Sequence, residues 1–279
     1  MNTIKLNNNI EMPQLGFGVF QITDLKQCKE AVLNALNTGY RLIDTASIYA
    51  NEEAVGEAIK ECGLKREELF ITTKVWINEQ GYENTKQAFE RSLNKLGLDY
   101  LDLYLIHMPF GDYYGSWRAM EELYNDGKIR AIGVCNFDCA RLMDLCYNFK
   151  IKPAINQIET HPFCQQNDLA AIMKEYNVHH EAWAPFAEGM NNIFQNPVLT
   201  KIAKKYDKTA AQVILRWNIQ REIIVIPKSV RKERIEENFN IWDFELDKHD
   251  MQEIASLDTK RSYLLDTFEP REVKRLYSI

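Results

Sequence analysis

The chain lacks the features that mark several protein classes. None of its 279 residues fall in an apolar window of about 18, and the start, Met1-Asn2-Thr3-Ile4-Lys5, carries no apolar leader. A membrane span and an export signal are therefore not expected, and a cytoplasmic protein is. There is no dense basic block and the net charge is -6, which argues against nucleic acid as a partner. None of the six cysteines (Cys28, Cys62, Cys135, Cys139, Cys146, Cys164) belongs to a Cys-x-x-Cys pair, so free thiols are expected and a metal site is not. No G-x-G-x-x-G follows an apolar run; Gly16-Phe17-Gly18 is only a fragment, which leaves a Rossmann site without support. Repeats, low-complexity stretches and linkers are also missing, so one domain over residues 1–279 is expected.

What is present can fill a core: 46% of the residues are apolar and 27% charged. Short apolar runs alternate with amphipathic segments. Leu15–Phe20 precedes a helix over Leu25–Asn37, capped by Thr23 or Asp24. Tyr40–Ile43 precedes a helix over Asn51–Cys62 that stops at Gly63, and Leu69–Thr73 one over Glu83–Leu96 closed by Gly97. Leu101–Ile106 precedes Ser116–Asn125, closed by Gly127. Ile129–Val134, Ala154–Ile158, Val178–Trp183 and Ile223–Ile226 follow, with helices starting near Cys139, Gln166, Thr209 and Lys232. Eight strand–helix units predict an α/β fold with a parallel sheet, closed as a (β/α)8 TIM barrel. Residues 3–12 read as a hairpin plugging the barrel's bottom, and Lys248–Leu257 as an extra helix after the eighth unit.

The carboxyl ends of barrel strands carry the chemistry, and Asp44, Tyr49, Lys74 and His107 lie just past the early runs. Each alone has an ordinary explanation: a helix cap, a packing ring, a solvated amine, a satisfied interior imidazole. On consecutive strands they form a proton-handling set. A carbonyl attacked by hydride gains negative charge on oxygen and needs a proton. A phenol with a pKa near ~10 is a poor donor. A unit charge at about 4 Å, in an effective dielectric near 20, is worth roughly 4 kcal/mol, or about three pKa units. Lys74 could supply that charge, Asp44 could hold Lys74, and a neutral His107 could orient the oxygen.

Three ordered stretches carry a resemblance. They are Arg41-Leu42-Ile43-Asp44-Thr45-Ala46-Ser47-Ile48-Tyr49 with Asn51-Glu52-Glu53 and Val55-Gly56, then Ile71-Thr72-Thr73-Lys74-Val75-Trp76, then Leu105-Ile106-His107. With Met12–Gly18 they resemble the aldo-keto reductases, and the likeness runs to about Asn240. It implies the barrel, a nicotinamide cofactor, and Asp44, Tyr49, Lys74 and His107 as a catalytic tetrad with Tyr49 as general acid.

The segment Ile226–Arg234 opens a helix after the eighth run. Helix N-termini attract phosphate, whereas the basic Lys228, Arg231 and Arg234 would otherwise oppose the dipole. The segment is similar to the family's Ile-Pro-Lys-Ser-Val loop. That implies Lys228, Ser229 and Arg234 on an adenosine 2′-phosphate, with Val230 and Arg231 beside them and Glu237 and Asn238 at the adenine. NADPH/NADP+ rather than NADH follows. Gly133-Val134-Cys135-Asn136-Phe137 resembles the family's Gly-Val-Ser-Asn-Phe, implying Asn136 and Gln157 on the carboxamide, with Cys135 a weaker donor than serine. Trp183 matches the ring that stacks on the nicotinamide, and Val19, Ala184 and Phe186 complete the cofactor contacts. An alternative role for Cys135 is a redox-sensitive thiol beside the cofactor.

Phe20, Tyr49, Trp76, His107 and Met108 are expected to line an apolar pocket for uncharged aldehydes and ketones. The short loop Met108–Trp117 and the tail Ser262–Ile279 resemble the compact bacterial branch that includes 2,5-diketo-gluconate and glyoxal reductases. Tyr114 and Trp117 are candidates for pocket lining or for packing, and His161 reads as structural. The expected function is NADPH-dependent carbonyl reduction by a monomer. The alternatives are a catalytically weak cofactor-binding sensor or structural subunit on the same barrel and, more distantly, a metal-dependent barrel hydrolase.

Overall fold

The computed structural model describes residues 2–279. An antiparallel hairpin comes first, β1 (Thr3–Lys5) and β2 (Glu11–Pro13), with Thr3 opposite Pro13. It caps the amino end of the barrel as expected. The Asn7 amide donates to the Pro153 carbonyl at 2.9 Å and that of Asn8 to Arg130 at 2.8 Å, while Leu6 and Met12 join the interior apolar cluster.

Eight parallel strands follow in chain order: β3 (Gly16–Gly18), β4 (Leu42–Asp44), β5 (Phe70–Val75), β6 (Leu101–Ile106), β7 (Ile129–Cys135), β8 (Ile155–Glu159), β9 (His179–Trp183) and β10 (Ile224–Val225). The two edges meet through a parallel bridge between Leu15 and Val225 and a Gly18 N–H donated to the Pro227 carbonyl at 3.1 Å. Here Gly16-Phe17-Gly18 finds its reason. A Cβ on Gly18 would stand 3.1 Å from the Ile226 carbonyl oxygen, and one on Gly16 2.5 Å from Leu42. The glycines let the closing strands approach; they are not part of a dinucleotide loop.

The strands read as near-continuous apolar runs because helices cover them outside while side chains fill the inside. All six residues of β5 and of β6 are buried. Asp102 interrupts β6 and is kept there by Arg66 at 2.7 Å, Arg130 at 2.5 Å and the Ile71 N–H at 2.8 Å.

The helices are α1 (Leu25–Thr38), α2 (Glu52–Glu61), α3 (Tyr82–Leu96), α4 (Tyr113–Asn125), α5 (Cys139–Asn148), α6 (Asn167–Glu175), α7 (Pro197–Lys205), α8 (Ala210–Gln220), α9 (Lys232–Phe239), α10 (Lys248–Ala255) and α11 (Pro270–Tyr277). Asp24, not Thr23, caps α1 by accepting the Gln27 N–H. α4 begins three residues earlier than its periodicity suggests, because the Asp112 carboxylate accepts the Gly115 N–H. Two helices were not anticipated: α7, capped by Asn196 with Pro197 at its first position, and α11 in the tail. An irregular stretch, Ala187–Gln195, leads into α7, with Glu188, Gly189, Asn191 and Asn192 at left-handed φ. Among the described residues no helix is long and apolar enough to cross a membrane.

Candidate active site

Asp44 is the last residue of β4 and Tyr49 ends the short 3-10 turn Ser47–Tyr49 behind it. Lys74 lies within β5 rather than past it, one residue before the strand's end. Alternation along the strand separates the two neighbours. Thr73 donates to Glu52 of α2 at 2.7 Å, while Lys74 meets Asp44. His107 follows β6 directly, its N–H donated to the Val75 carbonyl at 3.1 Å. Parallel register between β4, β5 and β6 thus brings the four residues to one end of the barrel.

The Lys74 side chain has no exposed surface. Its Nζ donates to Asp44 Oδ1 at 2.6 Å and to the Thr45 carbonyl at 2.9 Å. Burial opposes the ammonium, yet Asp44, aided by Tyr49, overrides it and raises the Lys74 pKa, so the amine stays charged. Tyr49 Oη lies 3.5 Å from His107 Nε2, and Lys74 Nζ lies 5.1 Å from the Tyr49 ring centre. Burial raises the Tyr49 pKa above the ordinary phenol range, and the Lys74 charge pulls it back only in part. The expected acidified phenol is therefore outweighed here: desolvation exceeds the cation's effect, and the hydroxyl keeps its proton. His107 is held well below the usual imidazole range, by burial first and by Lys74 second. Its Nδ1 has no hydrogen-bond partner. It is a neutral imidazole, as anticipated.

Beneath this group Asp44 is joined through Gln157 to a second carboxyl that the motifs did not flag, Glu181. Gln157 Nε2 donates to Asp44 Oδ2 at 2.9 Å and to Glu181 Oε2 at 3.0 Å. The signal was available as a charged residue inside the otherwise closed run of β9. At the end of β7, the Cys135 thiol faces Gln157 Oε1 at 3.9 Å. Burial pushes the Cys135 thiol well above its ordinary pKa, which works against the redox-sensitive alternative. Asn136, at φ 61, donates to the His107 carbonyl at 3.1 Å and accepts the Trp183 Nε1–H at 2.9 Å. Its amide therefore ties the β6 and β9 ends together. Ala184, at φ 47, shares the left-handed backbone; such strain in side-chain-bearing residues clusters at functional sites.

Around the hydroxyl, Phe20 stacks 5.0 Å from the Tyr49 ring and Trp76 meets His107 edge-on at 4.9 Å. Phe20 is half exposed, whereas Trp76 and Met108 are buried, packed with Leu276 of α11. A cleft of about 530 Å³ opens beside Asn136 and Trp183 and runs beneath the tail at Ser262, Leu265 and Phe268. Glu159, at the end of β8, binds that tail through the Ser262 hydroxyl at 2.5 Å and the Tyr263 N–H at 2.9 Å. His161 is buried, with Nε2 3.0 Å from Glu159 and Nδ1 accepting the Phe163 N–H, as its structural reading required. Trp117 is fully buried and donates to the Ile151 carbonyl, and Tyr114 bonds Asp144 and packs on Phe149, so both are packing residues.

The second group sits at the start of α9. Lys228, Val230, Arg231 and Arg234 are exposed, and Ser229 is buried, accepting the Arg231 N–H at 3.1 Å. Among the described residues no carboxylate pairs with Lys228, Arg231 or Arg234, and no side chain caps the helix. Unpaired cations and free N–H groups at a helix start fit a phosphate. Asn238 is buried one turn on; Glu237 is engaged by the α8 cap residue Thr209 at 2.9 Å. Val19, directly after β3, is buried, and Phe186 packs on Phe194.

Comparison with known proteins agrees with this arrangement. Residues 14–259 match the Aldo/keto reductase family. The chain is 52% identical over 258 residues to the glyoxal reductase of Bacillus subtilis, covering 92% of this chain and 93% of that one. Among solved structures it is similar to an aldo-keto reductase enzyme from a Medee basin deep-sea metagenome library. That match has a TM-score of 0.92 and 48% identity, covering 95% of this chain and 98% of the other. It is also similar to a Bombyx mori aldo-keto reductase in complex with NADP, with a TM-score of 0.91, 34% identity and 95% of each chain covered. Three strand ends that gather a charged lysine, its carboxylate, a phenol and a neutral imidazole, on a barrel matched in sequence along most of its length, establish that this chain belongs to the aldo/keto reductase family.

Proposed function

We propose that the chain, as one (β/α)8 domain, reduces small uncharged aldehydes and ketones, glyoxal-type dicarbonyls among them, with NADPH. The observation that carries this reading is the pairing of Tyr49 Oη with His107 Nε2 at 3.5 Å, next to the buried Lys74–Asp44 ion pair. A carbonyl oxygen placed between the phenol and the imidazole would meet two donors. His107 Nε2, carrying the proton of the neutral ring, orients the oxygen. Tyr49 keeps its proton until charge develops there, then donates it. The Lys74 ammonium stabilises the resulting phenolate, and Asp44 keeps the ammonium in place. When bound, the cofactor supplies the hydride. Asn136, Gln157, Cys135 and Trp183 would hold its nicotinamide end, with Val19, Ala184 and Phe186 along the groove. Lys228, Ser229, Val230, Arg231 and Arg234 would hold the phosphate end, and Glu237 and Asn238 the adenine. Phe20, Trp76 and Met108 line the substrate side; their apolar surface suits a small substrate without large charge.

The resemblance to a glyoxal reductase supports glyoxal as the first carbonyl to test. The test follows loss of the reduced-nicotinamide absorbance with glyoxal and a panel of aldehydes, using NADPH and then NADH. Turnover with NADPH in the parent protein and none in Tyr49→Phe is expected. No turnover of any carbonyl by the parent would sink the proposal. A cytoplasmic monomer is part of the same reading, and size-exclusion chromatography checks the monomer.

A further inference from the structure

Glu181 has no place in the chemistry just proposed. It occupies the middle of β9 with no exposed surface, and among the described residues no cation pairs with it. Oε1 has no hydrogen-bond partner; Oε2 accepts only the Gln157 amide, at 3.0 Å. A buried carboxyl so poorly satisfied is costly. Its one hydrogen-bond partner, Gln157, also touches Asp44.

An amide side chain has a donor end and an acceptor end, and rotation by half a turn exchanges them. Gln157 Nε2 lies between two carboxyl groups, at 2.9 Å from Asp44 Oδ2 and 3.0 Å from Glu181 Oε2. Turned the other way, Oε1 would face Asp44 Oδ2 with no proton between them, and Glu181 could meet it only as a protonated carboxyl. The two carboxyls together therefore fix Nε2 inward and Oε1 on the side of Cys135, at the carboxyl end of β7. Asn136, the other amide nearby, is committed at both ends to Trp183 and the His107 carbonyl.

We propose that Glu181 is a positioning residue for the cofactor: with Asp44 it locks the Gln157 amide so that the site offers the nicotinamide carboxamide a hydrogen-bond acceptor, selecting its NH2 group. The inference rests on the cofactor reading above. Charged groups facing Glu181 are Asp44 from β4 and Lys74 from β5, with the Cys135 thiol from β7 and the Gln157 amide from β8. Burial first, then Asp44, push its carboxyl up to about 8, against Gln157 and Lys74. Oε2 can accept from Gln157 in either state, but only the ionised carboxyl excludes the turned amide; below that pKa Asp44 alone opposes the turn.

The test compares binding of NADP+ with binding of its 3-acetylpyridine analogue, which lacks the NH2 donor, by quenching of tryptophan fluorescence. The parent is expected to prefer NADP+ by about three- to tenfold, the factor one ordinary hydrogen bond carries. Glu181→Met, which removes one of the two acceptors and leaves Asp44, should narrow the ratio of dissociation constants to about half the parent's or less. Glu181→Gln, which can still turn a carbonyl toward Gln157, should restore the preference. A parent without preference, or a Glu181→Met protein that keeps the parent's preference, overturns the inference while leaving the function standing. A parent that binds neither nucleotide overturns both.

Discussion

The barrel end and the start of α9 are both rich in charge, yet they are built in opposite ways. At the barrel end Lys74, Asp44, Gln157 and Glu181 are buried, and each fixes its neighbour. At α9 the cations Lys228, Arg231 and Arg234 are exposed and unpaired among the described residues. Burial sharpens electrostatics and desolvation together, so the first region can set protonation states before any ligand arrives. The second is left open to solvent and, on the proposed cofactor reading, would be completed by an anion. If the proposed roles hold, reacting groups need preorganisation, whereas a phosphate grip would tolerate solvent because its energy comes from charge and free N–H groups.

The comparison breaks most clearly at the buried end. Tyr49→Phe should lower kcat by roughly 10²–10⁴-fold, the usual worth of a positioned proton donor, with cofactor affinity within about twofold of the parent. Steady-state kinetics with glyoxal and a fluorescence titration read the two separately. Next, Lys74→Met leaves the Asp44 carboxylate buried without its cation. Urea unfolding should show a loss of about 3–5 kcal/mol, and adding Asp44→Asn should recover part of it. Independent losses that simply add would mean that the pair is not the interlocked unit described.

At the open end the effects should be smaller and sensitive to salt. Arg234→Ala is expected to weaken NADPH binding by about three- to tenfold, leave NADH binding unaltered, and leave the unfolding midpoint in place. An equal loss for both cofactors would remove the 2′-phosphate from the argument. A further effect concerns pH. Burial lowers the pKa of His107 well below its ordinary value and that of His180 to about 3. Between the ordinary imidazole pKa and these folded values, the unfolded chain binds protons that the folded chain refuses. Each histidine therefore makes stability fall as pH falls below about 6.5, by at most ~1.4 kcal/mol per pH unit. His107→Asn should flatten that slope in urea melts between pH 7 and pH 5; an unchanged slope would place the imidazole in a wetter setting.

Much of this was legible in order and spacing. The hairpin, the eight strands and the Asp44, Tyr49, Lys74 and His107 cluster follow from local runs and from motifs that survive intact. Local signals also existed where they went unread: Asn196-Pro197 is a helix start, and Asp112 ahead of Gly115 caps α4. Other features have no local signal. That Trp117 packs beneath Ile151, that α11 returns to bury Leu276 against Trp76 and Met108, and that Glu159 clasps the tail all join residues far apart in the chain.

By itself the sequence determined which residue types stand at the strand ends, because strand periodicity and short loops leave them no other place. Protonation and orientation were decided only by the tertiary structure. Lys74 alone promised an acidic phenol, but its effect on Tyr49 depends on how much water folding removes, and here desolvation prevailed. Gln157 acquires a direction only because Asp44 and Glu181 arrive from β4 and β9, on either side of it. Solvent exclusion and converging distances belong to the closed barrel and have no counterpart along a single strand.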